Sequence, residues 1–227
     1  MSLPDLVLSL ADSKQMLGLR YAEWATRAPT LEADIAAAAM GLDELGHSRV
    51  LYGCLEPLGG NPRAGEGDAS SYRAAAYLDQ PWTSYAEFVA ANAILDSAYT
   101  AVLQALAEGE VEVLQTRLRK MLQEERYHFL HGRSWRREGL DPEPEARAWR
   151  EALEFFGPPG GDLDPAALRA ALEEKVEAPA PALEIDWSKW DPLRRRTRPG
   201  AIDEATFAML RGLEERRFMP AGAARQS

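Results

Sequence analysis

Glu44-Leu45-Gly46-His47 and Glu125-Arg126-Tyr127-His128 repeat one spacing, Glu-x-x-His, in two well-separated stretches. Three residues make about one helical turn, so on a helix the carboxylate and the imidazole leave the same face and can reach one metal ion. The chain has three histidines, His47, His128 and His131, and two of them occupy this spacing. One such triplet alone is weak, because an exposed polar pair satisfies it equally well. The doubled motif gains meaning only if the elements that carry it bring the two copies together.

Apolar periodicity predicts a first helix over about 5–27, with Leu6, Leu10, Leu17 and Trp24 at helical spacing and Ala28-Pro29 as the stop. Thr30 reads as the N-cap of a second helix over about 31–55. A Gly-, Ser- and Ala-rich segment over about 59–81 reads as a long crossover with a short helix around 71–77. Ser84 caps a third helix to about residue 108, and Gly109 separates it from a fourth that ends near 138. Further helices follow near 143–156, 165–177 and 203–218, broken by the stiff Pro179-Ala180-Pro181. The pattern is all-α: a ferritin-like four-helix bundle over about 5–138 with a helical extension over about 139–227, in one domain.

Two hairpins let heights be compared along the bundle. Glu44 lies 15 residues after Pro29 and Asp12 lies 17 before it, a mismatch of about 3 Å of helical rise. Asp96 lies 13 residues before Gly109 and Glu125 lies 16 after it, a mismatch of about 5 Å. Glu23 and Glu87 fall roughly 13 and 10 Å from the matching level. The candidate set is therefore Asp12, Glu44 and His47 from one hairpin with Asp96, Glu125 and His128 from the other. Four carboxylates and two imidazoles suit a di-iron or dimanganese centre. The same groups buried in a bundle can also pair among themselves and leave no metal, and both outcomes stay open here. His131, one turn past His128, reads as a supporting group or a surface residue.

The formal net charge of −10 argues against sequence-independent nucleic-acid binding. The N-terminus lacks a basic opening and a long apolar run, and no stretch of about 18 residues is free of charge, so a cytoplasmic protein without a membrane segment is expected. Cys54 stands alone and excludes an internal disulfide. One basic run, Arg194-Arg195-Arg196-Thr197-Arg198, could grip a phosphate or an acidic partner, and with Trp187 and Trp190 it forms a candidate contact surface; the alternative is that it fastens the C-terminal segment.

Glu23-Trp24, Ala28-Pro29-Thr30-Leu31-Glu32-Ala33-Asp34-Ile35-Ala36, Gly41-Leu42-Asp43-Glu44-Leu45-Gly46-His47-Ser48-Arg49 and Glu124-Glu125-Arg126-Tyr127-His128-Phe129 resemble the PaaC-like subunits of phenylacetyl-CoA epoxidases, as do Met209-Leu210 and Met219-Pro220-Gly222 more loosely. The resemblance implies a cytoplasmic multicomponent monooxygenase that adds one oxygen atom of O₂ to the ring of phenylacetyl-CoA. It implies a scaffold role beside a homologous PaaA-like catalytic subunit that holds the di-iron site, with a reductase component, and self-association as a further contact. PaaC-like chains typically lack some metal ligands, whereas this chain keeps all six candidates. A vestigial, empty site and a working di-iron oxygenase centre of its own are both compatible with the resemblance.

Overall fold

The computed structural model describes residues 2–61, 68–139 and 141–217, with side chains as far as Gly212. The segment at 219–222 that carries part of the resemblance lies outside the described residues. Helix α1 (Leu3–Ala22) starts at a capping box in which Ser2 and Asp5 satisfy each other's backbone N–H. Its buried stripe is Val7, Leu10, Leu17 and Tyr21, and Lys14 sits in the middle of it, fully enclosed. The helix ends five residues before the expected Arg27, because the chain tightens into turns in which the Trp24 N–H bonds to Tyr21 and the Ala25 N–H to Ala22, three residues back instead of four. Helix α2 (Leu31–Leu55) begins at Thr30, whose hydroxyl accepts from the Ala33 N–H. The hairpin closes tightly where Gly18 meets Gly41: a Cβ on either would stand 3.0 Å from the other's carbonyl oxygen.

The crossover holds 3₁₀ turns at Glu56–Leu58, Ala69–Ser71 and Ala76–Leu78, not the helix expected around 71–77. Its backbone donors are taken by carboxylates of the bundle, since Asp12 accepts from the Arg73 N–H at 2.8 Å and Glu151 from the Ala76 N–H at 2.9 Å. That removes the donors a helix would have used. Helix α3 (Tyr85–Glu108) is capped by Ser84 and Glu87 and contains a π-helical stretch, Ala91–Asp96. It is long and apolar enough to cross a membrane, yet it is mostly buried as the core helix of the bundle. Helix α4 (Glu112–Arg137) completes the second hairpin. Helices α5 (Pro142–Phe156), α6 (Pro165–Val176) and α7 (Glu204–Arg217) form the extension, each of the first two started by an aspartate cap followed by proline. Among the described residues there is no strand, and the all-α expectation holds.

The basic run is a fastener. Arg195 reaches the Phe155 and Phe156 carbonyls and Asp162, Arg196 binds both oxygens of Asp79 at 2.8 and 3.0 Å, and Arg198 pairs with Glu151. Trp190 donates its indole N–H to the Glu154 carbonyl. Buried guanidinium groups so engaged have no free fork for a phosphate or an outside carboxylate, which sets aside the contact role for Arg195 and Arg196.

Gly132 marks where α4 crosses the π-helical stretch. A Cβ there would lie 2.7 Å from Asn92 Oδ1 and 2.8 Å from the Ala93 backbone nitrogen, neither able to withdraw cheaply. Gly132→Ala is expected to destabilise the fold by about 1–3 kcal/mol, seen as a lower urea midpoint with an unchanged slope.

Candidate metal centre

Four helices each send one charged residue to the same point. Lys14 from α1 places its Nζ 2.9 Å from Glu44 Oε1 of α2, 2.5 Å from Asp96 Oδ1 of α3 and 2.5 Å from Glu125 Oε1 of α4. All four side chains are buried. The imidazoles close the ring of contacts. His47 Nδ1 lies 3.1 Å from Glu125 Oε1, and His128 Nδ1 lies 3.1 Å from Glu44 Oε1 and 3.3 Å from Asp96 Oδ2. Each ring also meets an outer carboxylate with its second nitrogen, His47 Nε2 with Glu124 at 2.9 Å and His128 Nε2 with Asp43 at 3.3 Å. An imidazole between two carboxylates satisfies both only when both nitrogens carry protons. Tyr21 donates to Asp96, and Thr100 donates to Glu125.

The inner set therefore balances without help: the charges of Glu44, Asp96 and Glu125 are matched by Lys14 and two imidazolium rings. The protonation preferences follow. Burial would push Lys14 down, but Asp96, Glu125 and Glu44 outweigh it and hold the amine well above its usual range. Burial likewise opposes charge on His47, and its contacts with Glu125 and Glu44 override that and raise it to about 10. His128 is raised against burial to about 12 by Asp43, Asp96 and Glu44. Glu125 would rise on burial alone, and Lys14 with the imidazoles draws it to about 2.

Of the six candidates, five converge. Glu44, Asp96, Glu125 and His128 offer ligand atoms within 4.8 Å of one another, a spacing that suits a metal ion, and His47 adjoins them. Asp12 does not join. Its carboxylate accepts from the Tyr52 hydroxyl at 2.7 Å and the Arg73 N–H at 2.8 Å, tying α1 to α2 and the crossover. The donor set does not fit a dinuclear centre in this arrangement, because the space between the carboxylates is filled by a tethered ammonium and one expected carboxylate faces elsewhere. His131 lies beside the cluster as a supporting residue, its Nδ1 3.1 Å from Asn92 Oδ1 and its ring against Phe88.

Lys14 is the member of the cluster that height along the hairpins did not single out. It lies 15 residues before Pro29, level with Glu44 at 15 after, and it interrupts the apolar stripe Val7, Leu10, Leu17, Tyr21. A lysine on a core stripe needs a buried partner, and that was the available signal.

A family model described as phenylacetic acid catabolic protein matches residues 1–217. The chain is also 29% identical over 198 residues to the C subunit of 1,2-phenylacetyl-CoA epoxidase from Escherichia coli (strain K12), a match that covers 75% of this chain and 78% of that one.

The two imidazoles set an alkaline limit on stability. A histidine raised above its ordinary 6.5 contributes stability that is complete below about pH 6.5 and is lost as pH climbs through its folded value, here about 10 for His47 and about 12 for His128. Glu125, depressed to about 2, contributes above about 4.5 and loses its share only as pH falls toward 2. The urea midpoint should therefore decline from about pH 6.5 upward, and His47→Gln should flatten that alkaline limb while lowering the midpoint at pH 6. An alkaline limb equally steep in the variant would contradict the assignment.

Proposed function

The chain belongs to the phenylacetic acid catabolic protein family, and from that premise we propose that it is a non-catalytic, structural subunit of a phenylacetyl-CoA epoxidase type of complex in phenylacetate catabolism. The observation that carries this reading is the Lys14 ammonium seated among Glu44, Asp96 and Glu125. A carboxylate centre that activates O₂ must give its oxygens to metal and leave coordination positions open. Here those oxygens are committed to an internal cation. The alternative of an independent di-iron oxygenase is disfavoured on the same ground, and Asp12's bonds to Tyr52 and Arg73 weigh further against it. The metal chemistry of the assembly then belongs to a homologous PaaA-like subunit supplied with electrons by a reductase component.

A scaffold needs a face to offer. Among the described residues, five of the seven exposed large apolar side chains lie on α2 and α4: Leu31, Ile35, Leu42, Tyr127 and Leu130. Crossover and C-terminal segments bind α1, through Ser9 to the Leu193 carbonyl, Arg20 to Asp203 and Asp12 to Arg73, and the extension holds the C-terminal end of α4 through Arg136 to Glu145 and the Val176 carbonyl and Arg137 to Glu177. The exposed apolar residues of α2 and of the middle of α4 are thus left for a partner, and they supply an interface core. In this reading Asp43 and Glu124, at the seam between α2 and α4, would be covered on assembly and the imidazoles behind them shielded from water.

Leu42 and Tyr127 are 72% and 73% exposed, so Leu42→Asp combined with Tyr127→Asp should leave the thermal midpoint of the free chain nearly unchanged. The pair should weaken association with the PaaA-like subunit at least about tenfold, measured by size-exclusion chromatography of mixed purified subunits and by titration. Full-strength assembly by the double variant would remove this face from the interface, and no assembly by the wild type would overturn the structural-subunit reading itself.

A further inference from the structure

We infer that Lys14 is the single residue that keeps this cluster free of metal, and that removing its amine opens a site for one divalent cation held by Glu44, Asp96, Glu125 and His128. The inference rests on the structural-subunit reading above and deepens it, by naming the group that closes the site and the stoichiometry that its loss would reveal.

Position comes first. The Lys14 nitrogen lies within 2.5–2.9 Å of one oxygen from each of three carboxylates contributed by three different helices. A cation in the middle of those oxygens is where a bound ion would sit, and the ligand atoms of Glu44, Asp96, Glu125 and His128 already fall within 4.8 Å of one another. Removal of the amine leaves three buried carboxylates facing one another across the space it held, a concentration of like charge that a divalent ion relieves best.

An independent observation points the same way. Glu44 Oε2 is a buried oxygen without a hydrogen-bond partner at the edge of the cluster, and the His47 Nδ1 nearest it, at 3.7 Å, is engaged by Glu125 at 3.1 Å. A fully buried carboxylate oxygen left unsatisfied is a donor atom aimed at a ligand that Lys14 alone does not supply. The donor set is oxygen-rich with imidazole, which favours Mn²⁺, Fe²⁺, Co²⁺ or Zn²⁺ over soft ions.

The number of ions follows from Asp12. A second ion would need a fourth carboxylate, and Asp12 is held by the Tyr52 hydroxyl and the Arg73 N–H on the opposite side of α1. The opened site is mononuclear.

The test uses the full chain, prepared free of metal, as wild type, Lys14→Ala, Lys14→Gln, and Lys14→Ala combined with Glu125→Ala. Each is dialysed against about 1 mM MnCl₂ and, separately, CoCl₂, followed by elemental analysis and thermal melts; an ion that binds the folded chain must raise the melting midpoint, with the logarithm of its affinity. The expected result is no stoichiometric uptake by wild type, about one ion per chain in Lys14→Ala with a raised melting midpoint, and at least tenfold weaker binding in the double variant. A folded Lys14→Ala that takes up no metal while wild type is also metal-free overturns this inference and leaves the structural-subunit reading intact. Stoichiometric metal in the wild type overturns both. Should Lys14→Ala fold only when Mn²⁺ is present, the inference is supported. Should it fold in neither condition, Lys14→Gln decides: its neutral amide keeps one hydrogen bond and the packing of the stem, and a folded Gln variant without metal uptake overturns the proposal.

Discussion

One buried ammonium group joins all four helices of the bundle. Lys14 belongs to α1, and its three partners belong to α2, α3 and α4. Apolar packing is tolerant of small slides, because one methyl group serves much like another. An ion pair at 2.5–2.9 Å is not: a slip of one residue along any helix moves its carboxylate about 1.5 Å in height and about 100° in direction. Burying such charges brings little net stability compared with a well-packed apolar core, but losing one partner costs several kcal/mol. The cluster therefore acts chiefly on register, and Gly18 against Gly41 and Gly132 against the π-helical stretch set the close approaches that bring its members within reach.

Much of this was legible in the chain itself. Helical periodicity, Thr30 and Ser84 as caps, and the turn residues near Pro29 and Gly109 were enough to place two hairpins, and height along those hairpins grouped Glu44, His47, Asp96, Glu125 and His128, whose side chains lie near one another in the structure. Asp12 lies apart from the cluster because height is only one of the two coordinates of a helical position. Asp12 and Lys14 differ by two residues, about 3 Å of rise but about 200° around the axis, so one faces the crossover and the other the core. The stripe Val7, Leu10, Leu17, Tyr21 fixes which direction is inward, and Lys14 lies on it.

The crossover and the C-terminal segment were harder to read for a different reason. Their structure depends on partners far away in the chain: Asp12 for Arg73, Glu151 for Ala76 and Arg198, Asp79 for Arg196. Local propensity carries no trace of such pairings, so a segment rich in Gly, Ser and Ala read as a short helix became a chain pinned at intervals by buried acids. The basic run looked like a ligand grip for the same reason, since its internal acceptors lie far from it in sequence.

Those distant pairings also bear on how the molecule is made. Arg20 meets Asp203 across 183 residues, and Ser9 meets the Leu193 carbonyl across 184. Closing so long a loop costs chain entropy before any contact rewards it, so contacts of this span form slowly. During synthesis α1 emerges long before residue 203, so its buried guanidinium has Glu23 beside it but lacks Asp203 until α7 is reached. The nascent bundle thus carries an unfinished seam on α1 until the segment from Leu193 to Asp203 has been made, and docking of that segment is the event that seals it.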